Sequence, residues 1–142
     1  MEEISKDYGV QPEVRDQIKL RDKAASGDML FVVTPATTTR AATAAAFTRT
    51  VTVHLETAAG EIHNWFSKAI TSGVSVGDTS IAGAASIVPA TTLTFVNGVA
   101  TVVLTGTAAA WLEDETNTVT AAQATILGYT IAAATSVETI SA

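Results

Sequence analysis

Two histidines, His54 and His63, flank a short run of turn-forming residues, "LETAAGEI". If Thr57 to Gly60 form a hairpin loop, the two imidazoles stand directly across it from each other, with Glu56 and Glu61 beside them. A divalent metal is the chemistry such a group would do. Two histidines alone leave a zinc or copper site short of ligands, so they read as exposed polar side chains on a wet face. Glu113-Asp114-Glu115 offers oxygen ligands for calcium, but a lone acidic triplet reads more simply as a solvated patch or a helix start. Lys68, the one lysine after residue 28, would be the donor of any Lys–Asn cross-link. There is no GxSxG elbow, no Gly-rich loop leading into a Lys-Ser/Thr helix start, and no serine with His and Asp partners in order. The expectation is a protein that is not an enzyme and holds no metal or cofactor.

The elements that carry these residues follow from composition and period. A chain of 142 residues suits one core plus an appendage. Hydrophobic residues make up 47% and aromatics only 6%, with Ala and Thr supplying much of the bulk, which favours thin, strand-rich packing. Cysteine is absent, so disulfides and thiolate sites are excluded. The net charge of -6 argues against a nucleic-acid partner and against an anionic membrane surface. "MEEISKDYGV" has neither the basic region nor the apolar stretch of a secretory signal, and no apolar run reaches membrane-spanning length, so a soluble, non-exported protein is expected.

Charge divides the chain into an arm, residues 1 to 28, and a sparsely charged remainder, 29 to 142. "PEVRDQIKLRDKAASG" reads as a helix: Pro12 opens it, acidic residues sit near its start, basic ones near its end, and Gly27 closes it. Val14 and Ile18 form a narrow apolar stripe. The arm reads either as a solvated segment or as an anchor that orders against another protein. In the remainder the period becomes two, and strands are expected at 29–34, 47–56, 61–70, 91–96, 99–105, 117–125 and 129–140. Asn97-Gly98 supplies a tight hairpin turn. "TSGVSVGDTSIAGAASIVPA" reads as a long, loose crossover, and 35–46 as a connection. On the strand at 61–70, Trp65 is expected in the core and Phe66 half-exposed, because neighbours point to opposite faces. Seven such strands imply an all-β sandwich that folds without the arm.

"VTVHLETAAGEI", "TTLTFVNGVATVVLTGT" and "NTVTAAQAT", in that order, resemble bacterial immunoglobulin-like domains of the invasin and intimin kind over roughly residues 47 to 125. The same domain type is found in tailed-phage virion proteins, including capsid decoration proteins with an N-terminal capsid-binding segment. The resemblance implies a seven-stranded immunoglobulin-like sandwich. A single domain without tandem repeat or export signal favours the virion setting over adhesion at a cell surface, where the sandwich would bind a glycan or receptor. In that setting the partner is the major capsid protein or another virion protein, and many copies occupy a symmetric lattice. Within the arm, Tyr8, Val14, Ile18 and Leu20 are the residues expected to carry the contact, since aliphatic and aromatic anchors dominate interface energy.

Overall fold

The alternation over 47–56 produces the ten-residue strand β3, in which Phe47, Arg49, Val51, Val53 and Leu55 are buried while Thr48 and Thr50 face solvent. The computed structural model describes residues 12 to 142. It begins with helix α1 (Pro12–Ala25), followed by β1 (Leu30–Thr34), β2 (Thr37–Ala41) and then β3 (Phe47–Glu56). The middle of the chain supplies β4 (Ala69–Ile70), β5 (Val74–Asp78), β6 (Ala85–Val88) and β7 (Leu93–Thr94). The last part supplies β8 (Val99–Gly106), β9 (Thr116–Ala121), β10 (Ala124–Ile126), β11 (Tyr129–Ile131) and β12 (Ala134–Ser141).

Eight of these strands make two four-stranded sheets, ordered β1-β3-β8-β6 and β2-β12-β9-β5. Every pairing within them is antiparallel except β2 with β12, which is parallel. Pro35 ends β1, and the chain crosses there from the first sheet to the second. The sheets share one core, with Val51, Val53, Val102 and Leu104 from the first and Val119, Ala121 and Ile140 from the second. The described residues therefore form an all-β sandwich preceded by one helix.

Arg49 lies on the buried face of β3 and reaches across that core. Its guanidinium donates to the Asn117 side chain at 2.7 Å, to Ser136 Oγ at 2.6 Å and to the carbonyls of both residues. Asn117 and Arg40 in turn each donate to Glu138 Oε1 at 3.0 Å. Burial pushes the Arg49 guanidinium below its ordinary value, while the Glu138 carboxylate acts in the opposite sense.

Four expectations are corrected. Residues 61–70 do not form a strand paired with β3; only Ala69–Ile70 are strand, as β4 beside β7, the partners of β3 are β1 and β8, and only Ile62 bridges back to Glu56. The loose crossover contains β5 and β6, because edge positions accept Gly- and Ser-containing segments that a central strand would not. The connection at 35–46 contains the edge strand β2. The last two strands are each broken, 117–125 into β9 and β10, and 129–140 into β11, which forms a small hairpin with β10, and β12.

The Asn97-Gly98 turn is present, with φ of 51° and 78°, and Val96 and Val99 exchange both backbone hydrogen bonds. A Cβ on Gly98 would stand 2.6 Å from the His63 carbonyl oxygen, whereas one on Gly128, at φ 81°, would meet nothing. Gly98→Ala is expected to cost about 2–4 kcal/mol and Gly128→Ala about 1 kcal/mol, since only the first adds a backbone clash to left-handed strain. Chemical denaturation of both variants checks this, and equal losses would place the cost in φ alone.

Candidate functional site

Helix α1 ends in a motif that fixes its foot on the sandwich. Gly27, at φ 88°, lets its own N–H bond to Ala24 O at 2.9 Å and the Asp28 N–H bond to Lys23 O at 3.0 Å. The Tyr129 ring packs on the space where Gly27 lacks a side chain, and its hydroxyl donates to Ala25 O at 3.0 Å. Ala24 is wholly buried and belongs to the sandwich core. Lys23 pairs with Glu61, and that hydrogen bond holds its ammonium above the ordinary value.

Next to this foot, His63 is fully buried and both its ring nitrogens are engaged. Trp65 Nε1 can only donate, and it does so to His63 Nδ1 at 2.9 Å. The proton therefore sits on Nε2, which donates to Asp28 O at 2.7 Å. The exposed histidine pair expected from the sequence is thereby corrected. The Glu56–Ile62 bridge puts Asn64 opposite His54 and His63 opposite Leu55, so His63 points to the core side with Leu55. His54 lies instead 3.5 Å from Glu56, with Val32 and Val99 as its strand neighbours. Among the described residues no three His, Asp or Glu side chains converge as metal ligands.

Trp65 and Phe66 also exchange places relative to expectation. Phe66 is buried, stacked edge-on with Phe95 at 5.4 Å, while Trp65 is half-buried. A turn closed by the Phe66 N–H on His63 O, at 3.0 Å, replaces the strand, and strand alternation does not apply there. The half-open indole forms one wall of a cleft of about 490 Å³. Arg21 lies over the ring at 5.8 Å, Lys68 and Ile70 line another side, and Leu127 closes the rim from the β10–β11 turn.

Of the residues expected to carry partner contact, Tyr8 lies outside the described residues. Val14 and Ile18 are 43% and 50% exposed, and Leu20 is buried at 6%. At 100° per residue the Val14–Ile18 stripe lies about 120° around the helix from the Leu20–Ala24 side. The helix thus turns one side to the sandwich and keeps an apolar stripe outside it. Leu20 is already covered within the chain. Sequence reasoning passes over Arg21, although it sits three residues after Ile18 on the same helix stripe, where it carries that stripe to the cleft.

No family model, curated protein or solved structure matches the chain.

His63→Ala removes the acceptor of the Trp65 N–H and the donor to Asp28 O, at the joint between helix and sandwich. A loss of about 2–4 kcal/mol is expected, against less than about 0.5 kcal/mol for His54→Ala on the outer face. Urea unfolding followed by tryptophan fluorescence measures both, and similar values for the two would contradict the assignment.

Proposed function

We propose that this protein is a non-enzymatic structural protein of a phage virion, a capsid decoration protein that docks through its N-terminal arm and displays an immunoglobulin-like sandwich. The observation that carries the reading is the exposed Val14–Ile18 stripe on a helix whose other side is fixed to the sandwich. An aliphatic pair at four-residue spacing on the outward side of the helix is the surface an anchor would present to a partner. The rigid foot built by Gly27, Tyr129 and Ala24 transmits the docked orientation to the sandwich.

Strand order supports the immunoglobulin-like assignment. The sequence of neighbours β1-β3-β8-β6 corresponds to an A-B-E-D sheet, and β5-β9-β12 to a C-F-G sheet, with β2 added beside β12. The resemblance of residues 47 to 125 to domains of tailed-phage virion proteins supplies the setting. The proposed partner is the major capsid protein, with Tyr8, Val14 and Ile18 as contact residues and mixed rim charges setting register.

Undecorated capsids mixed with full-length protein and with a Val14→Asp/Ile18→Asp variant test the reading. Both positions are exposed, so the variant is expected to melt with the wild type, within about 0.5 kcal/mol, yet to bind on the order of 100-fold more weakly. Undiminished binding by the variant would contradict docking through the helix.

A further inference from the structure

The cleft beside Trp65 has a counterpart at the opposite end of the molecule. Strand β9 begins immediately after Glu115 and leads to the β10–β11 hairpin that carries Leu127, so the two ends are joined by one strand. The ten-residue β3 spans the same interval, with Phe47 against Trp111 at one end and Glu56 bridged to Ile62 at the other, a separation of about 30 Å.

At the far end Glu115 is buried, and its two carboxylate oxygens each accept a backbone N–H, from Ile81 at 3.0 Å and from Leu112 at 2.9 Å. Those two hydrogen bonds hold its carboxyl below the ordinary range. Their effect on shape matters more. They tie two loops to one carboxylate, and the two donating residues, Ile81 at 93% exposed and Leu112 at 54% exposed, both present aliphatic side chains to water. Glu113 and Asp114 follow directly and are exposed, and the Asp114 N–H is tied to Ile140 O at 2.9 Å. The result is a preformed knob of two aliphatic side chains with two carboxylates.

The cleft is its complement in both respects. Trp65, Ile70 and Leu127 give it an apolar lining, and Arg21 and Lys68 bring two cations with no carboxylate among the lining residues. Lys23, Arg40 and Arg49 are committed to Glu61, Glu138 and the Asn117–Ser136 pair, whereas Arg21 and Lys68 both line the cleft. A saccharide fits the cleft less well than an aliphatic segment: its hydroxyls come from Ser67 and Thr125, and Ser67 Oγ already accepts the Asn97 N–H.

We propose that copies of this chain associate head to tail, the Ile81–Leu112 knob of one copy seated in the cleft of the next, with Glu113 and Asp114 facing Arg21 and Lys68. The contact is heterologous, so a pair leaves one knob and one cleft free, and association continues into chains or closes into a ring. It uses neither Val14 nor Ile18, and the variants that test it leave both in place.

Sedimentation of the full chain over a range of concentrations tests this. The wild type is expected to rise above 14.6 kDa, past the dimer mass, and to fall back as salt screens the charges. A cleft variant, Arg21→Ala/Lys68→Ala, and a knob variant, Glu113→Gln/Asp114→Asn, each alone lose about tenfold or more in association constant. Mixed at equal concentration, the two still share one intact knob and one intact cleft, so the mixture recovers a dimer and nothing larger. A wild type that stays monomeric at about 1 mM, where weak transient contacts are populated, overturns the proposal. So does a variant that associates as the wild type does, or a mixture that shows no dimer.

Discussion

Arg49 is the constraint around which the sandwich is arranged. A guanidinium in the interior is tolerated only where its donors and its charge are met, and leaving it unmatched would cost several kcal/mol. Asn117 and Ser136 take its hydrogen bonds from the opposite sheet, and Glu138 supplies the charge. Arg40 from the edge strand β2 binds the same carboxylate, and Ser136 Oγ donates to Pro35 O at 2.6 Å. Strands β3, β9, β12 and β2 therefore meet in one polar cluster. A slip of any of them by one residue would turn its member outward and strand the others. With no cysteine to bridge the sheets, this cluster fixes their relative register.

A frame held in this way delivers rigid ends. At one end Trp111 is fully buried against Phe47, and Glu115 gathers the loops of Ile81 and Leu112. At the other, His63 spends both nitrogens joining Trp65 to the foot of the helix. Each end places polar hydrogen bonds underneath and aliphatic or aromatic surface on top. In the structural role proposed above, the satisfied groups set shape and the exposed ones meet partners.

How much of this is legible in the sequence depends on the range of the interaction. The alternation of β3 and β8, the helix stop at Gly27 and the Asn97-Gly98 turn are encoded within a few residues of themselves, and each stands in the structure as the sequence implies. Arg49 stands out in the sequence as a polar intruder on an apolar face. Its partners at 117, 136 and 138 lie 68 or more residues away, and nothing local marks them. The failures near 61–70 have two causes: the tight turn at Thr57–Glu61 differs by one residue from the loop that the sequence suggests, which exchanges inside and outside through His63, and the strand then gives way to a turn. That parity places His63 in the interior instead of in solvent, and a turn at 63–66 in place of a strand leaves Trp65 outside the core. Edge strands β5 and β6 are hidden because their glycines and serines mimic a loop. Leu127-Gly128 is visible as a break between strands, while its role at the cleft rim is a tertiary fact.

Native-state hydrogen exchange tests most directly whether the Arg49 cluster makes the two sheets one cooperative unit. Amides of the central strands β8 and β9, one in each sheet, are expected to open with the same free energy in the wild type. Arg49→Met should lower both by the same amount, about 2–4 kcal/mol. If that substitution released β9 alone, or left both strands unchanged, the apolar core and not the Arg49 cluster would be what holds the sheets together.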